Sequence, residues 1–246
     1  PGQQRDAPAA PNILSRALPT AEKLLIDPRV NGAAVASSLA FLFLVAFPAE
    51  LLNSTIEENY GRLFGRIPKP KLPWLPRVRS WLANRRLVGG LAITTLAALI
   101  FSFSDPRFGF DLSSLRLFLA CVIGMFVLGY AANAITGVIL RRRWNIASVI
   151  ELEPFGLVVA LVGVILSRLL DFTPGLLVGL VLGLTLSASA TLKDEIREVL
   201  IWAAIVLGLS VTSWVVYSLM SGVVAPNTFV GALFDDSLVA VAVEGI

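Results

Sequence analysis

The chain has no histidine and a single cysteine, and only 15% of its 246 residues are charged. Each shortage excludes something. Without histidine there is no His-ligated zinc or haem, no Ser-His-Asp triad and no imidazole general base. One cysteine, Cys121 in the run LFLACVIGMFVLG, cannot close an intrachain disulfide and reads as a small apolar residue. Charge at this level is well below the roughly 25% of an average soluble domain. No Walker A pattern, no GxGxxG after a strand and no HExxH is present. The sequence therefore implies no catalytic residue, no cofactor and no metal, and we read it as that of a non-enzyme. The basic stretches lack an aromatic stacking platform, so nucleic acid is not an expected partner.

What is present is apolar: 56% hydrophobic residues, with 14 Phe and 5 Trp. A polar skin cannot be made from this composition. A membrane helix needs about 20 mostly apolar residues. Hydropathy suggests six such runs: about Ala33 to Leu52, Leu87 to Phe103, Leu115 to Leu140, Val149 to Leu170, Gly175 to Leu192 and Val199 to Ser221. A partial seventh starts near Ser237. The expected fold is all-α, a polytopic bundle of six spans plus part of a seventh.

Basic residues fall on alternate connections. Thirteen lie in the stretch after run one (Arg62 to Arg86), in Arg141–Arg143, and at Lys193 and Arg197, against seven on the other connections. By the positive-inside rule this places residues 1–30, a Pro/Ala-rich lead-in, outside the cell and the loop 53–86 in the cytoplasm. The transmembrane domain is then residues 31–246. The start at Pro1 and the apolar end suggest a chain cut from a longer protein. Trp-flanked arginines (Arg77, Arg79, Arg85, Arg86) and the run Arg141, Arg142, Arg143 read as lipid-facing groups near anionic head groups. The expected location is a bacterial plasma membrane, crossed several times.

Small residues recur at helical spacing and suggest close helix packing. They are Gly175, Gly179 and Gly183 in run five, Gly156 and Gly163 in run four, and Gly208 in run six. In run three Gly129, Asn133 and Gly137 share a face, with Asn133 able to hydrogen-bond across helices. Carboxylates at membrane depth are the default functional suspects. Glu151 and Glu153 precede Pro154, and Glu244 lies in the last apolar run. These three are the candidate ion-handling groups. Asp235 and Asp236 are expected at the surface, and Arg168 with Asp171 as an ion pair or anchors beside a turn.

The phrases Pro48-AELLNSTIEENYG and Ile150-ELEPFGLVVALVGVILSRLLDFTPGLLVGLVLGL resemble uncharacterised actinobacterial polytopic membrane proteins of the FGLLP-motif type. Such proteins often carry extracytoplasmic repeat domains before the membrane region. The Phe-Gly-Leu-Leu-Pro motif itself is absent from this chain, and no activity or site residue transfers from the resemblance. The Gly-rich hairpin also resembles site-2 metalloproteases, but a chain without histidine cannot be a catalytic one. The expectation is an integral membrane anchor or scaffold subunit with protein partners in a membrane complex. The alternative is a secondary transporter or ion channel using the carboxylates.

Overall fold

The structure is a computed structural model and describes residues 10–16, 18–22, 86–152, 154–169, 182–187, 190–221, 223 and 227–245. The chain divides into residues 1–20 with 81–246, and residues 21–80. The elements below belong to the first unit. The first apolar run and the basic loop 53–85 lie outside the described residues.

A one-turn 3-10 helix, Leu14–Arg16, comes first. Helix α1 is Arg86–Ser102, 17 residues. Helix α2 is Leu112–Trp144, 33 residues. Strand β1 is Ser148–Leu152, α3 is Pro154–Leu169 and β2 is Leu182–Leu186. Helices α4, Leu192–Met220, and α5, Phe229–Glu244, complete the order.

The ends of these helices follow from local chemistry. The Asp111 side chain accepts from the Ser114 N–H at the start of α2. Asn145 closes α2 in the left-handed conformation, φ 55°, which Asn adopts more readily than most residues. Thr191 and Asp194 form a reciprocal capping box on α4, and Thr228 caps α5 through the Gly231 N–H. Within α2, residues Phe126–Ala131 form a wide π-type turn. The Phe126 and Tyr130 rings stack there, 5.3 Å between centroids. The Tyr130 ring lies where a side chain on Gly90 of α1 would go.

The expected bundle of six spans and a partial seventh is overturned. Among the described residues two helices are long and apolar enough to cross a membrane, α2 and α4. The fifth run contains strand β2, which pairs antiparallel with β1 in the register Ser148↔Leu186 to Leu152↔Leu182. The fourth run splits between β1 and α3, and α3 has 16 residues. The physical reason is that a short apolar run carries no helical period of its own, so a half-buried strand and a helix share the same hydropathy. Pro154 supplies the break, since it removes a backbone donor and suits a helix start. The last run is a 16-residue helix beginning at Phe229, eight residues before the expected Ser237.

Packing centres on α5. It lies against α2 and α4, burying Val239, Ala240, Val241 and Ala242. Helix α3 packs on α1 through Ala160 and Val164 against Ala97 and Phe101.

Candidate functional site: a buried ion pair between two helices

Helices α2 and α5 run parallel and step together. Arg116 meets Asp236, and two turns further Gly124 meets Ala240 and Glu244. The step of four residues keeps both series on facing stripes. Arg116 Nε donates to Asp236 Oδ2 at 2.7 Å, with side-chain exposures of 1% and 5%. Charges this deep hold only when paired and hydrogen-bonded.

The N-terminal segment completes the pairing. Arg116 Nη2 donates to the Ala10 carbonyl and, at 3.4 Å, to Ser15 Oγ. Asn12 Nδ2 donates to Asp236 Oδ2 at 2.6 Å, and Ser15 Oγ donates to Asp236 Oδ1 at 3.3 Å. Asn12 and Ser15 are themselves held by a reciprocal cap. The Ser15 N–H donates to Asn12 Oδ1 at 3.0 Å, and the Asn12 N–H donates to Ser15 Oγ at 3.2 Å. Asp105, buried in the turn after α1, accepts from the Ile13 N–H at 3.1 Å and the Arg107 N–H at 2.8 Å. Residues 10–16 are thus fastened to one end of the helices by a polar knot. The Trp214 indole of α4 donates to the Pro19 carbonyl at 3.0 Å and fastens the segment once more.

Asp236, expected at the surface, is instead buried, and so is Arg116. The spacing Asn12-x-x-Ser15 is the one legible signal, since it matches a side-chain cap. Asp235, the neighbour of Asp236, has its Oδ1 buried with no hydrogen-bond partner among the described residues. Arg168 Nη2 donates to the Asp105 carbonyl at 2.9 Å, while Asp171 lies outside the described residues.

The other sequence candidates scatter. Glu244 is partly buried, its carboxylate seated against Gly124, where a Cβ would stand 2.9 Å from Oε2. Glu151 lies in β1, paired with Gly183 of β2, on a different element. Glu153 is outside the described residues. Glu151 and Glu244 thus sit on different elements, β1 and α5.

Gly129, Asn133 and Gly137 do share a face, but it meets the sheet rather than another helix. A Cβ on Gly129 would touch Leu182, and one on Gly137 would stand 2.9 Å from Ser148 Oγ. Asn133 Nδ2 donates to the Gly129 carbonyl at 2.6 Å and the Leu182 carbonyl at 3.4 Å. Gly183 is a strand residue, so the expected helical glycine face of run five is corrected there; Gly175 and Gly179 lie outside the described residues. Gly156 lies in α3, and Gly163 is buried in the same helix. Gly208 is exposed and a Cβ there would meet nothing within 4 Å, so it packs on no described helix. Of the basic candidates, Arg141, Arg142 and Arg143 are exposed at the end of α2. Arg86 begins α1, and Arg77, Arg79 and Arg85 lie outside the described residues.

No family model, curated protein or solved structure matches the chain.

Proposed function

We propose that the chain is a non-catalytic integral membrane anchor of the bacterial plasma membrane and a scaffold subunit of a larger membrane assembly. One observation carries this reading. Helix α4 is strongly apolar, yet only 11% of its most apolar window is buried. The core helix of a water-soluble fold hides such a surface, and an exposed one supports coverage by lipid or partner helices. Leu200, Leu207, Val211, Val215 and Leu219 all stand exposed along it. The polar knot supports the anchoring role. Its strongest charges are spent on each other and on residues 10–16, which leaves a fixed seat for the lead-in rather than a site for chemistry.

Extraction tests the reading. The chain is expected to stay with membranes through alkaline carbonate washing, and to migrate on native gels in mild detergent above its own mass together with other chains. Release by carbonate overturns the anchor, and a lone monomer overturns the scaffold.

A second reading, a transporter or channel, has one favourable observation: the Glu244 carboxylate seated between α2 and α5 at Gly124. Ion flux in proteoliposomes that disappears in Glu244→Gln would establish it in place of the scaffold.

A further inference from the structure

The arginine end of α2 and the start of α4 form one surface. Arg141, Arg142 and Arg143 occupy the last turn of α2, all exposed, and none makes an ion pair among the described residues. Trp144 follows, 38% exposed. Arg197 of α4 lies over its ring, 5.2 Å from the centroid, and joins the two helices there. Lys193 is exposed one turn earlier on α4. Acidic residues share this turn, but Asp194 is engaged by its own cap and by Arg197 at 2.9 Å. The five basic groups outnumber Asp194, Glu195 and Glu198.

The same two helices expose apolar side chains immediately beyond the charges. Ile135 and Val138 stand out on α2, and Val199 and Leu200 on α4. A cationic rim, an interfacial tryptophan and an apolar flank in that order match the layering of a phospholipid: phosphate, interface, acyl chain.

We propose that Arg141, Arg142, Arg143 and Lys193, around the Trp144–Arg197 stack, form a binding site for the head group of an anionic phospholipid whose acyl chains lie on the exposed faces of α2 and α4. The inference rests on the membrane reading above. Guanidinium groups suit the occupant because they bind phosphate bidentately and shed water more easily than an ammonium. A free phosphate ion would leave the apolar flank uncovered, which is why the lipid is the occupant.

The full chain in nonionic detergent is titrated with dioleoylphosphatidylglycerol, dioleoylphosphatidylcholine or sodium phosphate, and affinity is taken from the shift of the thermal midpoint. Phosphatidylglycerol is expected to raise the midpoint, and the other two to leave it unchanged. The triple substitution R141Q/R142Q/R143Q is expected to weaken phosphatidylglycerol about a hundredfold, and each single one about fivefold. The triple lysine variant, which keeps the charge but not the bidentate contacts, is expected to bind more weakly than the native chain and more tightly than the triple glutamine chain. Since the three side chains are exposed, the midpoint without lipid should not move. An equal response to phosphatidylcholine, full binding by the triple glutamine chain, or a phosphate ion effect of the same size overturns the site. Flotation with phosphatidylcholine vesicles separates the two readings. A chain that floats but ignores head-group charge sinks this inference alone; a chain left in the aqueous fraction sinks both.

Discussion

Asp235 and Asp236 are adjacent and identical in type, and the fold gives them opposite roles. Asp236 receives Arg116, Asn12 and Ser15, whereas Asp235 Oδ1 is buried with no partner among the described residues. Removing one member of a buried pair strands the other charge. Asp236→Ala should therefore cost about 3–5 kcal/mol of unfolding free energy in detergent. The double substitution Arg116→Met, Asp236→Leu should recover only part of it: no charge is left unpaired, but Asn12 Nδ2 and the Ala10 carbonyl lose their partners. Asp235→Ala should cost less than about 1 kcal/mol, since an unsatisfied oxygen leaves with the side chain. Denaturant titrations of the three variants check the order. At Gly124 a methyl group would press on the Ala240 Cβ at 3.1 Å as well as on Glu244. The carboxylate can swing away, but the alanine cannot. Gly124→Val is expected to cost about 1–3 kcal/mol by overpacking, and Glu244→Ala to restore only part of it. Within this residue-scale pattern the cap Asn12-x-x-Ser15 is local enough to be read along the chain, although the expectations above did not include it. The sequence could not display Arg116 opposite Asp236, since a pair 120 positions apart leaves no local period.

At the scale of the element, α4 shows how a charged start and an apolar body are joined. Its first turns carry Lys193, Asp194, Glu195, Arg197 and Glu198, before the apolar stretch from Val199. The Thr191 backbone N–H, at 3.1 Å, and the Thr191 hydroxyl, at 2.8 Å, both donate to Asp194 Oδ2, and Arg197 lies 2.9 Å from Oδ1. Asp194→Ala removes all three contacts and should cost about 0.5–2 kcal/mol of stability, read by denaturant titration. The sheet makes a second case. Val149, Ile150 and Leu152 looked like the opening of a helix, and Leu182 to Leu186 like the end of another. Hydropathy registers both as apolar and stops there. Their pairing depends on α2 offering Gly129, Asn133 and Gly137 as a flat seat. The sequence did reveal that these three share a face, and missed what lies on it.

For the whole molecule the decisive quantity is apolar surface that the chain leaves uncovered. Leu207, 55% exposed at the middle of α4, is the place to test it. Leu207→Lys should disfavour membrane insertion by about 2.5–3.5 kcal/mol, read as the fraction recovered after carbonate extraction. A protein whose α4 is covered in water by its own chain would show no such loss. Composition alone set the expectation of a membrane class: too few charges for a polar skin, no histidine, and basic residues gathered in clusters. Caps and Pro154 fix several helix ends locally, at Asp111, Asn145, Thr191 and Thr228, but hydropathy alone set the last helix eight residues late and read β2 as helix. The tertiary structure decided the rest. It made strands of two runs that hydropathy could not distinguish from helices. It buried Arg116 against Asp236 and drew residues 10–16 over them. It also set Trp144 of one helix beneath Arg197 of another. The reason is physical: local signals are written in neighbours along the chain, whereas burial, pairing and exposure belong to groups that meet only after it has folded.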